Sequence, residues 1–132
     1  MTKMLIRFKV WIDGKLIPWE RVKKDHDLML KACENKEALA VPFTGFHDKE
    51  GVPVYLGDIL QYIGEGTKRY EKIIEHFYVD WERGGFSIKM FERATNEPID
   101  HPLSYPNDEH VRVIGNTFEN TDLVSKLKRG SN

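Results

Sequence analysis

Hydrophobic and polar residues alternate along residues 5–12, LIRFKVWI, and this two-residue period predicts a β-strand. The apolar positions on one face of the strand are Ile6, Phe8, Val10 and Ile12. Asp13 and Gly14 follow at once, and this pair favours a two-residue hairpin turn because both residues tolerate a positive φ angle. The return strand is KLIPW, and Pro18 places it at a sheet edge or ends it, because proline cannot donate a ladder hydrogen bond.

The segment after this hairpin has no single period. Residues 20–40, ERVKKDHDLMLKACENKEALA, are compatible with a short helix or with two short strands broken at Glu34 and Asn35. We predict irregular structure here, with short strands from Leu28 to Ala32 and from Leu39 to Phe43.

Residues 44–60, TGFHDKEGVPVYLGDIL, combine three glycines with acidic and aliphatic residues. The polar run before Gly51 lies between two apolar runs, which predicts a turn with Gly51 in a left-handed conformation. A second turn is predicted at Gly57 and Asp58, where the aspartate can accept hydrogen bonds from nearby backbone N–H groups. Asp48 and Asp58 are therefore interpreted as turn-forming residues, not as catalysts.

The second half of the chain predicts further strands. Residues 70–81, YEKIIEHFYVDW, fit both a helical and a strand period, but β-branched and aromatic residues favour a strand. ERGG and then FSIKMF follow, so we predict a hairpin with a glycine turn. Residues 95–110 contain three prolines and few alternating apolar residues, which predicts a long surface loop.

The chain is predicted to close with the strand VRVIG, residues 111–115, and a short helix. Asn120 or Thr121 can serve as the helix N-cap, and Asp122 lies in the first turn, where it complements the helix dipole. The apolar residues on one face of this helix are Leu123, Val124 and Leu127.

Length and composition indicate one globular domain. The 132 residues are 40% hydrophobic and 11% aromatic, enough for a hydrophobic core without disulfides or metal. The single cysteine, Cys33, cannot form an internal disulfide. Arg7 and Lys9 interrupt the apolar stretch near the amino terminus, which argues against a signal peptide, and no apolar run reaches membrane-spanning length. We therefore predict a cytoplasmic protein without membrane contact.

No pattern of catalytic or metal-binding residues emerges. The glycines have the wrong spacing for a phosphate-binding loop, and no serine lies in a nucleophile-elbow pattern. His101 and His110 are interpreted as loop residues, not as metal ligands. A hydrolase using Asp58, Asp80, Glu82 and a histidine is disfavoured because no carboxylate pair has a spacing specific to a reaction. We expect no enzymatic activity, no cofactor and no metal.

Basic residues near aromatic residues suggest one alternative. Lys68 and Arg69, with Lys72, lie close in sequence to Tyr62 and Tyr70, and such a mixture can form a platform for single-stranded nucleic acid. The formal net charge of −1 instead favours ordinary strand aromatics and solvated charges. Contact of these three basic residues with nucleic acid is therefore the second hypothesis.

Three segments together carry a family resemblance. The first is the strand from Ile6 to Trp11 followed by Asp13. The second matches a central pattern at Thr44, Gly45, Asp48, Lys49, Gly51, Val54, Tyr55, Gly57, Asp58 and Ile59. The third matches a closing pattern at Val113, Ile114, Gly115, Asn116, Glu119 and Asn120. Over nearly its whole length, the chain resembles the YopX-like family of phage and prophage proteins.

The resemblance implies a mainly β protein with an SH3-like barrel in the second half, an N-terminal hairpin region and a short C-terminal helix. Residues 1–132 would form one domain, with the hairpin and irregular region at 1–43, the barrel at 44–120 and the helix and tail at 121–132. The resemblance implies no reaction. We therefore expect a non-enzymatic accessory module that binds a protein partner or self-associates as a homo-oligomer in the cytoplasm of a bacterial host cell. The alternative is a regulatory protein that binds nucleic acid.

The resemblance also implies a set of structural motif residues. They are Thr44, Gly45, Asp48, Gly51, Tyr55, Gly57, Asp58, Gly115 and Asn116. We expect these residues to shape turns and strand entries, with Gly57 at positive φ and Asp58 accepting a hydrogen bond from a nearby backbone amide.

Overall fold

In the computed structural model, which describes residues 6–34, 37–65, 72–91, 100–102 and 110–128, the protein is mainly β. The strands are β1 (Phe8–Ile12), β2 (Lys15–Ile17), β3 (Ala38–His47), β4 (Pro53–Tyr55), β5 (Asp58–Glu65), β6 (Lys72–Glu82), β7 (Gly85–Met90), β8 (Asp100–Pro102) and β9 (Val111–Asn116). The helices are α1 (Trp19–Val22), α2 (His26–Cys33) and α3 (Thr121–Lys128). Within these ranges the strands form two antiparallel sheets, in the orders β2-β1-β3-β4 and β8-β7-β6-β5-β9.

The N-terminal hairpin forms as predicted. Asp13 and Gly14 connect β1 to β2 with φ angles of 51° and 70°, both in the left-handed region that the Asp-Gly pair favours. The return strand ends at Ile17, and Pro18 is the residue that precedes helix α1. As the order of the first sheet shows, β2 is an edge strand, which is where a proline at the strand end is tolerated.

The strand predicted from Leu28 to Ala32 is wrong, because this segment belongs to helix α2. The carboxylate of Asp25 caps that helix by accepting a hydrogen bond from the backbone N–H of Leu28 at 3.1 Å. Leu28, Met29 and Ala32 then join the apolar cluster that includes Val10 of β1 and Ala38 of β3. Burial against the first sheet, which the local sequence does not specify, favours the helix. The other predicted strand, from Leu39 to Phe43, lies within β3.

The predicted hairpin in the second half is confirmed as β6 and β7. Arg83 and Gly84 form its turn, with φ angles of 54° and 77°. The predicted surface loop at residues 95–110 needs a correction, because β8, at Asp100–Pro102, pairs with β7. This edge pairing uses backbone groups, so the strand forms without the apolar alternation that would have predicted it. Residues 95–99 and 103–109 lie outside the described residues.

Both faces of the second sheet carry apolar clusters. Helix α3 packs on one face, where its residues Leu123, Val124 and Leu127 meet Ile59 and Tyr78. On the other face, Val54 of β4 packs with a set of residues that includes Leu60, Phe77 and Val79. Because β4 belongs to the first sheet, the contacts of Val54 connect the two sheets.

Two expectations about architecture stay predictions. Within the predicted barrel region, strands β5 to β9 form one five-stranded sheet while β4 pairs with β3 in the other sheet, and the finer assignment to an SH3-like barrel stays a prediction. The boundary between the N-terminal region, residues 1–43, and the barrel, residues 44–120, also stays a prediction. Strand β3 runs across this boundary. Among the described residues, no helix is both long and apolar enough to cross a membrane.

Candidate functional site

Asp48 connects the turn after β3 to the distant strand β9. Its carboxylate is only 1% exposed and accepts three backbone hydrogen bonds, from Glu50 at 2.8 Å, Val52 at 2.9 Å and Val113 at 2.9 Å. Burial by itself would raise the pKa of this carboxyl, but the three N–H groups outweigh it, so the pKa lies below its usual value. Asp48 is therefore an ionised carboxylate whose oxygens are used to hold the backbone.

The residue after Asp48 extends the same contact. The backbone N–H of Lys49 donates to the carbonyl of Val111 at 3.0 Å. Strand β9 lies at the edge of its sheet, next to β5, so these two residues occupy backbone groups that an edge strand otherwise leaves open.

Asp58, at the start of β5, has a different environment. Its side chain is 4% exposed, and Oδ2 accepts one hydrogen bond, from the backbone N–H of Tyr55 at 2.8 Å, as predicted. Burial raises the pKa of the Asp58 carboxyl to about 7, against the opposing effects of the Tyr55 N–H and the Lys9 ammonium. With one N–H donor instead of three, Asp58 is less well compensated for its burial than Asp48.

Gly57 joins the central motif, residues 44–59, to the closing motif, residues 113–120. Its predicted positive φ is confirmed at +84°. Its carbonyl accepts the N–H of Thr117 at 2.7 Å, and its own N–H donates to the carbonyl of Val79 at 2.9 Å. A Cβ atom here would lie 2.5 Å from Cε2 of Phe118. The position thus requires glycine both for its backbone conformation and for the space it leaves.

The closing segment builds a compact turn before α3. Asn120 Oδ1 accepts the N–H of Asn116 at 2.9 Å, and Asn116 Oδ1 accepts the N–H groups of Phe118 at 3.0 Å and Glu119 at 2.8 Å. A Cβ at Gly115 would lie 2.7 Å from Asn120 Oδ1. Asn116 also pairs with Asp58 across β5 and β9, so the central and closing motifs meet in the fold.

The remaining motif residues shape the end of β3. Thr44 Oγ1 donates to the carbonyl of Val54 at 2.8 Å and accepts the N–H of Phe46 at 3.1 Å. Gly45 and Gly51 have φ angles of +91° and +81°, and the left-handed conformation predicted for Gly51 is therefore confirmed.

Two cations at the start of the chain, Arg7 just before β1 and Lys9 within it, cover buried aromatic rings. The Nζ atom of Lys9 lies 4.4 Å from the centroid of the Tyr55 ring, and Cζ of Arg7 lies 5.4 Å from that of Phe43. Within the described part of the chain, the Nε atom of Arg7 is buried without a hydrogen-bond acceptor, and its contact with the aromatic ring offsets part of that cost. Because Phe43 and Tyr55 are buried, these rings do not form an open surface for base stacking.

The Gly57 turn also forms one wall of a cleft of about 440 Å³. This volume is within the range of small-ligand sites. The cleft lies between strand β6, the turns at residues 56–57 and 117–118, and the last turns of α3. Its lining residues are Leu56, Gly57, Tyr78, Val79, Asp80, Phe91, Thr117, Phe118, Val124 and Lys128. Apolar and aromatic side chains dominate, and Asp80, Thr117 and Lys128 add polar groups.

An ion cluster borders the cleft at Asp80. Lys89 Nζ lies 3.0 Å from Asp80 Oδ2 and 2.8 Å from Glu82 Oε2, so two carboxylates share one ammonium group. Asp80 Oδ1 accepts the backbone N–H of Trp81 at 2.9 Å. The hydrogen bonds to Glu82 and Asp80 raise the pKa of Lys89. The cluster thus places two carboxylates that share one ammonium group beside an apolar cavity.

The structure does not assemble the hydrolase site considered from the sequence. Asp80 and Glu82 are bound to Lys89, while Asp58 is buried beside Tyr55 and does not line the cleft. No group of three metal-ligating side chains occurs among the described residues. The ring of His110 packs edge-on against Tyr62, with centroids 5.6 Å apart, and the side chain of His101 lies outside the described residues.

The basic residues of the nucleic-acid hypothesis are not tested. Lys68 and Arg69 lie outside the described residues, and of Lys72 only the backbone is described, at the start of β6 opposite Glu65. The cleft itself was missed by sequence reasoning. Gly57 was the one lining residue among the predicted motif residues. Besides Gly57 and its neighbour Leu56, the lining residues lie in four separate segments that only the fold brings together.

Comparisons with known proteins agree with the resemblance seen in the sequence. The crystal structure of protein EF1440 from Enterococcus faecalis matches with a TM-score of 0.57 and 15% sequence identity, over 92% of this chain and 99% of that chain. At this identity the likeness shows a shared fold. No curated protein matches. The family model described as YopX protein matches residues 7–125. Since this range covers most of the chain, the protein belongs to the YopX family.

Proposed function

We propose that this protein is a non-enzymatic interaction module and that the cleft beside Gly57 is its contact site for a protein. The observation that carries the proposal is the lining of the cleft, in which apolar and aromatic side chains surround a few polar groups. Such a cavity buries an apolar side chain of a partner and orients it through the polar rim.

The state of the motif carboxylates supports a module without catalysis. Asp48 uses both of its oxygens on backbone N–H groups, and Asp58 is buried with Tyr55 as its backbone partner. At the cleft, Asp80 is held by Lys89. A general acid or base must reach a proton of the substrate, and none of these carboxylates is free to do so without breaking a contact of the fold.

The biological setting is proposed from the family. We place the protein among phage or prophage accessory proteins that act in the cytoplasm of a bacterial host, and membership of the YopX family supports this. An SH3-like arrangement of the second half would suit a binding role, because small β-barrels are common hosts of binding sites. An increase of the protein during prophage induction, measured in the native host, is the corresponding test.

Site-specific photocrosslinking tests the cleft. A benzophenone amino acid replaces Lys128 at the rim of the cleft, or Lys15 on the exposed edge strand β2 as a matched control. We expect a defined protein adduct from position 128 in host cells and none from position 15. The adduct should disappear when Val124→Trp fills the cleft, provided that thermal denaturation shows this variant to be folded. An adduct that persists in the filled variant, or no adduct at position 128, would contradict the proposal.

Binding to nucleic acid is the alternative. It predicts a complex with DNA or RNA whose affinity falls steeply with salt and with removal of charge at Lys68, Arg69 and Lys72. A gel-shift titration at low and moderate salt decides between the two. A salt-dependent shift that these substitutions weaken would replace the protein-contact proposal, and no shift at low salt would end the alternative.

A further inference from the structure

On the basis of the proposed contact function, we infer that the cleft takes Trp81 of a second copy of this chain. Trp81 is 51% exposed, a large apolar surface to leave in water. It lies next to the β6–β7 turn, and its ring packs edge-on against Phe86 with centroids 4.8 Å apart. The indole is thus held in a defined orientation at the end of a hairpin, as an anchor residue of an interface must be.

Trp81 cannot fill the cleft of its own chain. Tyr78 and Asp80 line the cleft, and Trp81 follows Asp80 in the same strand. Successive side chains of a strand lie on opposite faces of the sheet, so Trp81 and its partner Phe86 lie on the face away from the side chain of Asp80. Contact between indole and cleft therefore requires two molecules.

The chemistry of the two surfaces is complementary. The cleft offers aromatic partners in Phe91 and Phe118, and its volume of about 440 Å³ exceeds what one indole needs. The exposed cation Arg83 lies two residues after Trp81. An entering hairpin would bring it towards the carboxylate of Asp80 at the wall of the cleft. Tryptophan and arginine are the residues most enriched among energetic anchors of interfaces.

The contact joins two different surfaces, because the hairpin end of one copy enters the cleft of another. Such a heterologous contact leaves a free cleft and a free hairpin at the ends of every open assembly. Association therefore continues beyond a dimer, unless the rotation between copies closes a ring. The mass in solution should rise steadily with concentration or level off at the mass of the ring.

Sedimentation equilibrium of the full chain tests the inference. We expect the wild-type mass to increase with concentration and Trp81→Ala to stay monomeric. Ile74→Ala is the matched control, because Ile74 is 56% exposed on the same strand and far from the hairpin turn. It should associate as the wild type does. A monomeric wild type over a wide concentration range, or loss of association in Ile74→Ala, would overturn the inference.

Complementation identifies the two surfaces. Val124→Trp blocks the cleft but keeps Trp81, whereas Trp81→Ala keeps an open cleft. Each variant alone should be monomeric, and an equimolar mixture should form a one-to-one heterodimer that grows no further. Thr117→Trp, in the turn before α3, is the second cleft variant if Val124→Trp fails to fold. A mixture that remains monomeric would refute the pairing of indole and cleft. If position 128 still crosslinks to another protein, the proposed function stands while this inference falls.

Discussion

The carboxylate of Asp48 accepts a hydrogen bond from the backbone N–H of Val113, 65 residues later in the chain, at 2.9 Å. With the N–H groups of Glu50 and Val52, it thereby joins a local turn to a distant edge strand. One side chain thus connects the two sheets, and the first prediction concerns its contribution to stability.

Replacing Asp48 with alanine should strongly destabilise the protein. Three partly buried backbone N–H groups would lose a charged acceptor, and each such hydrogen bond contributes about 1–3 kcal/mol, so we expect a loss of about 3 kcal/mol. Urea denaturation measures the change. The control is Glu50→Ala, since the exposed Glu50 contributes only its backbone to this network. Equal effects of the two substitutions would show that the carboxylate is not the stabilising group.

A second prediction compares two glycines with left-handed backbones. Gly14 and Gly57 have φ angles of +70° and +84°, but only at Gly57 does an added Cβ meet other atoms. Gly14→Ala should cost about 1 kcal/mol through backbone strain alone. Gly57→Ala should cost more, because Phe118 must shift as well. The difference between the melting temperatures of the two variants measures the cost of the contact between the added Cβ and Phe118. A smaller loss of stability at Gly57 than at Gly14 would contradict this steric explanation.

The pH dependence of stability should carry a signature of Asp58. Its pKa is about 7 in the folded protein and 3.8 for an unperturbed aspartate, so the folded state binds the proton more tightly. The contribution of Asp58 to stability is therefore fully present below about pH 4 and is lost as the pH rises to about 7, by at most about 1.4 kcal/mol per pH unit.

Asp58→Asn tests this, because asparagine keeps an oxygen for the Tyr55 N–H but does not ionise. Relative to the wild type, this variant should become more stable as the pH rises from about 4 to about 7. His76 acts in the opposite direction, since burial lowers its pKa and its contribution is lost as the pH falls below about 6.5. Because the variant and the wild type both contain His76, the difference between their stabilities at each pH does not include the His76 contribution. A stability difference independent of pH would exclude an Asp58 carboxyl with a raised pKa.

The fourth prediction concerns helix α2, which forms where a strand was predicted. Asp25→Ala removes the N-cap acceptor of the Leu28 N–H and should cost about 1 kcal/mol of folding free energy. Asp27→Ala is a suitable comparison, because Asp27 lies in the first turn and makes only an exposed ion pair with Lys31. That pair is expected to contribute less than about 0.5 kcal/mol. A loss at Asp27 as large as that at Asp25 would contradict the assigned cap.

Local residue chemistry determined several parts of this protein before any fold was known. The Asp13-Gly14 turn and the positive φ of Gly57 follow from residues that tolerate left-handed backbones. The hydrogen bond from Tyr55 to Asp58 spans three residues and was equally predictable. Helix α3 likewise combines one apolar face with an acidic first turn and a basic last turn. In each case the interacting groups lie within a few residues of one another.

Only the tertiary structure decided the rest, because there the interacting groups are far apart in sequence. Helix α2 replaces a predicted strand since its apolar face is buried in a cluster with Val10 of β1 and Ala38 of β3. The sequence identified Asp48 as a turn residue, but its hydrogen bond to Val113 depends on how β9 enters the second sheet. The cleft is the strongest case. Its wall at Gly57 faces Thr117, Phe118 and the end of α3, and no local pattern specifies that these surfaces leave an apolar cavity between them.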